Sequence, residues 1–144
     1  MALLLSTQLA GINSRPVLKP SGAEFGGRFR RYRATITLAA QANADWIQIA
    51  SQLPGEIFAF GMITASVSLG TSTIAIGTSI THGTNGQLRA AGVFTAVDTP
   101  TPFGLASATA QAAAIASVPI YLTSATAALP GAGTLNIDLF FTNG

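Results

Sequence analysis

From residue 32 onward, hydrophobic and polar side chains alternate. Tyr32, Ala34, Ile36 and Leu38 fall on one side of an extended chain; Arg31, Arg33, Thr35 and Thr37 fall on the other. A period of two is that of a strand with one buried face. A loop over 39–45 then leads to a short strand over 46–50. Leu53-Pro54-Gly55-Glu56 places proline and glycine for a type II turn. The strand predicted next, 57–69, carries Phe58, Phe60 and Met62 on one face and Ile57, Ile63, Val67 and Leu69 on the other. With both faces apolar, it should be central, or kinked at Gly61. Alternation resumes over 73–80 through Ile74, Ile76 and Ile80. A hairpin loop over 81–86 follows, with Asn85-Gly86 supplying positive φ. The return strand is 87–97, anchored by Leu88, Val93 and Phe94.

Asp98-Thr99-Pro100-Thr101-Pro102 breaks the pattern. Residues 104–117 are alanine-rich, which favours helix, but their hydrophobic stripe is poor; a loop with a short helix is expected. Strands over 118–125 and 134–142 close the chain. In the last, Leu135, Ile137, Leu139 and Phe141 point inward, and Asn136, Asp138 and Phe140 outward. Some seven strands without a long helix predict an all-β fold, an antiparallel β-sandwich of jelly-roll-like form. Its core should contain Tyr32, Ile36, Leu38, Ile74, Ile76, Phe94, Leu135, Ile137 and Leu139.

The first 28 residues show no such period. Pro16, Pro20, Gly22, Gly26 and Gly27 interrupt them, and residues before proline prefer extended geometry. The chain therefore divides into an extended N-terminal arm, residues 1–29, and a β-sandwich body, residues 30–144. Charge follows the same division. Arg15, Lys19, Arg28, Arg30, Arg31 and Arg33 against Glu24 give the first 33 residues a net charge of +5. Arg89 against Asp45, Glu56, Asp98 and Asp138 leaves the rest at −3.

Only 8% of the 144 residues are charged, against about 25% in an average domain. Such a surface predicts coverage by neighbours, hence an oligomer or a larger assembly. There is no cysteine, which excludes disulfides, thiolate metal sites and cysteine nucleophiles. Met-Ala-Leu-Leu-Leu-Ser-Thr lacks the basic n-region of a signal peptide. No run approaches the roughly 18 apolar residues of a membrane helix, so no membrane partner is expected.

Candidate chemistry is sparse. His82 is the only histidine; in its Gly/Asn/Thr turn it reads as a polar turn residue, without the companion ligands of a metal or the partner of a general base. Asp45, Glu56, Asp98 and Asp138 are scattered; Asp98 suits a turn, and Asp138 suits pairing with an arginine or protection of a strand edge. No catalytic set, metal site or cofactor is expected. The sharpest signal is Arg28-Phe29-Arg30-Arg31-Tyr32-Arg33. Arginine forms bidentate pairs with carboxylates, and interleaved aromatics suit nucleic acid. A protein partner is favoured over a solvated strand edge, and nucleic acid comes last, since the body has no further basic patch. The expected partner-binding residues are Arg15, Lys19, Arg28, Arg30, Arg31 and Arg33.

Arg-Tyr-Arg-Ala-Thr-Ile-Thr-Leu, Ala-Asp-Trp-Ile-Gln-Ile, the Leu-Pro-Gly-Glu turn and the closing Thr-Ala-Ala-Leu-Pro-Gly-Ala-Gly-Thr-Leu follow one another in a familiar order. So do Ser-Leu-Gly-Thr-Ser-Thr-Ile-Ala-Ile-Gly and Leu-Arg-Ala-Ala-Gly-Val-Phe-Thr-Ala-Val-Asp-Thr-Pro-Thr-Pro-Phe-Gly between them. Over residues 30–144 the chain resembles the head decoration, or auxiliary capsid, proteins that tailed bacteriophages encode near the major capsid protein. That resemblance implies a non-enzymatic, trimeric β module. It would be made in the bacterial cytoplasm and carried on the outer capsid surface, with the major capsid protein and its own copies as partners. The alternative is a carbohydrate- or host-receptor-binding β module of a phage tail or fibre. For that, Trp46 with Asp45 and Gln48 is the nearest thing to a site.

Overall fold

Among the described residues, eight strands pair as one long hairpin folded back on itself. The computed structural model describes residues 28–109 and 112–143. The strands are β1 (Phe29–Thr37), β2 (Trp46–Gln52), β3 (Glu56–Ala65), β4 (Thr73–Gly77), β5 (Arg89–Val93), β6 (Thr101–Phe103), β7 (Val118–Ala125) and β8 (Thr134–Asn143). One sheet has the order β1-β8-β3-β6 and the other β2-β7-β4-β5, all antiparallel. Thus β1 pairs with β8, β2 with β7, β3 with β6 and β4 with β5, as in a single ribbon whose tip is the β4–β5 loop. Every connection but that one crosses between sheets. The result is a jelly-roll-like sandwich.

The two inner faces share one core. Ile36, Ile63, Leu135, Ile137, Leu139 and Phe141 come from the first sheet, and Ile49, Ile74, Ile76, Ile120 and Leu122 from the second. Each such side chain contributes about 1.5–3 kcal/mol when fully buried. Phe141 is braced by edge contacts from Tyr32 (5.5 Å between centroids) and Phe58 (5.8 Å). Of the nine residues expected in the core, eight are buried, and Tyr32 is half-buried at its margin.

Alternation misassigns β3. A bulge between Phe58 and Phe60 shifts its register against β8. Phe58 and Ile63 therefore both face the core, while Phe60 turns to solvent. β3 is central, as its apolar character predicts, and Gly61 has a separate reason. A Cβ there would collide with the Phe103 ring. That ring reaches over from β6 to stack on Phe58.

Other boundaries move for local reasons. β3 stops at Ala65, where the chain crosses to the second sheet. β4 ends at Gly77 and β5 begins at Arg89, so the tip loop spans 78–88 rather than 81–86. Side chains replace the ladder there: Gln87 accepts from the Thr78 amide (3.1 Å) and Asn85 from the Ser79 amide (3.3 Å). Positive φ falls on Gly86 alone (+119°), and Asn85 is a buried anchor instead. Leu88 and Phe94 are buried as expected, but Val93 is 54% exposed. β6 forms within the Pro100–Pro102 break, because an edge strand tolerates proline. The alanine-rich stretch holds one short helix, α1 (Ala106–Thr109). Leu53–Glu56 makes the expected turn, with Gly55 at φ +85° and the Glu56 amide donating to the Leu53 carbonyl (3.1 Å).

Candidate protein interface

The regular alternation of β1 places its basic residues on two faces of the first sheet. In register, Arg31 lies beside Phe140 and then Phe60, and Arg33 beside Asp138 and then Met62. These residues share the outer face. Phe60 stacks on Phe140 at 4.4 Å with planes 12° apart, and Phe29 meets Phe60 edge-on at 6.1 Å. Phe29 is 62% and Phe60 38% exposed. The outer face thus carries three touching aromatic rings next to a row of charges. Aromatic rings and arginines are the side chains enriched at protein interfaces.

Asp138 is the centre of that row. Arg33 donates to it twice, through Nε (2.8 Å) and a terminal nitrogen (2.7 Å), and Arg31 approaches at 3.2 Å. The Arg33 hydrogen bond, more than the surrounding positive charge, holds the Asp138 carboxyl below the usual carboxylate range. The same contact raises the Arg33 guanidinium above its ordinary value. Arg30 and Tyr32 point the other way. Glu56 lies buried beneath them, accepting from the Tyr32 hydroxyl (2.9 Å) and the Leu53 amide (2.8 Å), with Arg30 at 3.5 Å. Burial first, then the Glu56 carboxylate, pushes the Tyr32 hydroxyl up.

Arg30, Arg31 and Arg33 are therefore joined to the sheet's own carboxylates. They remain accessible: the side chains of Arg30, Arg31 and Arg33 are 54%, 49% and 50% exposed. Arg28 is exposed just before β1. Arg15 and Lys19 lie outside the described residues, as does most of the expected arm. Arg89 belongs elsewhere; on the second sheet it donates to the Ile74 carbonyl at 2.6 Å, and burial lowers its pKa. Sequence alone places Phe29 in the basic motif and Phe140 on the outward face of its strand, but it leaves Phe60 open, because the bulge in β3 is what turns Phe60 toward Phe140.

A second feature lies on the outer face of the other sheet. The tip loop folds back over β4 and β7. Asn85 Nδ2 donates to the carbonyls of Ala75 (3.2 Å) and Tyr121 (3.2 Å) and to Thr123 Oγ1 (3.0 Å). His82 rests against the hydroxyls of Thr123 (3.2 Å) and Thr73 (3.4 Å). Between this loop and residues 43–46 opens a cleft of about 440 Å³. Asp45 and Trp46 line it; Gln48 does not, its amide donating instead to Ser51 Oγ (3.1 Å). No group of three or more metal-ligating side chains occurs among the described residues. Nor does any helix among them cross a membrane by length and apolarity.

The sandwich is similar to a chain in the capsid of Ralstonia phage GP4, at 21% identity and TM-score 0.65, over 82% of this chain and 86% of that one. It is also similar to a chain of the cyanophage Pam1 capsid asymmetric unit, at 14% identity and TM-score 0.66, over 88% and 93% respectively. At such identities the likeness shows a shared fold. No protein-family model matches the sequence, and no curated protein matches it.

Proposed function

We propose that the chain is a structural virion protein of a tailed bacteriophage that binds the outer surface of the capsid and decorates or stabilises the head. The observation that carries this is the sandwich shared, across more than four fifths of both chains, with chains from two phage capsid structures. Its partners would be the major capsid protein and further copies of itself, arranged as a trimer. Symmetric association suits a body so poor in charge. The outer face of the first sheet offers the contact: Phe29, Phe60 and Phe140 supply apolar area, and Arg28, Arg31 and Arg33 flank it. In this scheme residues 1–28 form an arm that extends the contact, Phe29 being already the first residue of β1, with Arg15 and Lys19 meeting acidic groups of the shell. No catalytic step is assigned. Glu56 and Asp138 hold arginines, and His82 holds the tip loop.

Co-sedimentation with capsids assembled from the cognate major capsid protein tests the contact. Phe29→Ala with Phe60→Ala removes outward rings and leaves the core intact; occupancy should fall by about tenfold or more, as for central interface aromatics. Deleting residues 1–28 should leave a folded body that binds poorly. Undiminished occupancy in both variants would exclude this face and this arm as the anchor.

A further inference from the structure

We infer that the cleft beneath Trp46 is a binding site for a neutral sugar. Three walls define it, and each is held in place. Trp46 begins β2 on the outer face of its sheet, opposite Thr123. The Tyr121 ring meets its indole edge-to-face at 5.4 Å and 86°, yet the indole remains 51% exposed. The second wall is the turn before it. Asp45 accepts from the Ala42 amide (2.9 Å), and the Ala42 carbonyl accepts from Ser124 Oγ (3.3 Å). The third wall is the tip loop, tied down by Asn85 and by His82 on the floor residue Thr123.

The lining selects the ligand. Its volume falls within the roughly 300–1,000 Å³ of small-molecule sites. Neither Arg nor Lys lines it, and Asp45 has no ion pair among the described residues, so an anion is repelled. A wholly apolar ligand would strip water from Asp45, Asn43 and Thr81 and return no hydrogen bonds. A sugar ring answers both demands: its C–H face covers the indole, and its hydroxyls donate to the Asp45 carboxylate and bond Asn43 and Thr81. The rigid walls mean that little ordering accompanies binding. This cleft opens on the sheet opposite the proposed capsid contact, and the inference is independent of that contact.

Trp46 is the only tryptophan, so its fluorescence reports the cleft directly. The full chain is titrated separately with glucose, galactose, mannose, rhamnose and N-acetylglucosamine, with choline chloride as a cationic comparator. A saturable change with at least one sugar is expected. Asp45→Asn keeps an oxygen for the Ala42 amide but loses the charge; it should weaken that sugar by about tenfold, the loss of one charge-assisted hydrogen bond. Asp98→Asn, away from the cleft, should bind normally. Asn43→Ala, which removes a side chain that takes no part in the Ala42–Asp45 hydrogen bonds, should also weaken binding. Absence of a saturable response to every sugar, a response to choline alone, or sugar binding unchanged by both Asp45→Asn and Asn43→Ala would overturn the inference. These titrations use free protein, so their failure would leave the capsid contact standing, and failure to bind capsids would leave the sugar site standing.

Discussion

Arg33 and Asp138, 105 residues apart in sequence, form a two-pronged ion pair at 2.8 and 2.7 Å across the β1–β8 ladder. The pair ties the edge strand to the centre of its sheet. Because the arginine lowers the Asp138 pKa, the contact depends on pH with a definite sign. The ionised carboxylate is favoured in the folded chain. Its contribution is complete above the ordinary carboxylate range, about pH 4, and is lost as pH falls through the lower folded value.

Asp138→Asn should therefore lower the thermal midpoint at pH 7 and narrow that gap progressively below about pH 4. Thermal denaturation of both proteins over a pH series measures it. A gap that stays constant into acid would show that the ion pair contributes nothing. Raised salt should shrink the neutral-pH gap, because the Arg33 side of the pair is half open to solvent.

Ile137 and Thr35 test the two faces of the same sheet. Ile137 is fully buried, and Ile137→Ala should cost about 2–5 kcal/mol, transfer and cavity together. Thr35 lies on the outer face, its hydroxyl donating to Asn136 at 2.8 Å; Thr35→Ala should cost no more than about 1 kcal/mol. Urea midpoints decide the matter, and equal losses would contradict the assigned faces.

How much of this was legible in sequence depended on how regular the backbone is. In β8 every second residue from Leu135 to Phe141 is apolar, so its faces read directly. In β3 the single bulged residue between Phe58 and Phe60 inverts the pattern, and no periodicity announces it. Pro102 read as a break, whereas an edge strand needs no amide from it. The Arg28–Arg33 motif was visible, but its internal partners were not. Asp138 and Glu56 reach it only through strand register, which alternation leaves open. The cleft was less legible still, since residues near 45, 82 and 123 meet only after the tip loop folds over the sheet.

Asn85 is the residue that makes the loop fold over. Its amide is buried and serves three acceptors in β4 and β7. Asn85→Ala should cost about 1–3 kcal/mol, because Thr123 and the two carbonyls lose a buried donor. Amide hydrogen exchange should rise across 78–88 while β8 stays protected. Uniform change across the chain, or none, would contradict the anchoring role.

The most direct measurement of the proposed function is cryo-electron microscopy of particles purified from cells that produce this protein with its cognate phage. Density fitting the eight-stranded sandwich should lie on the outer head lattice, at symmetry-related positions, with the Phe29–Phe60–Phe140 face against a neighbouring subunit. Density at the tail or a fibre tip, or particles that lack the protein altogether, would contradict it.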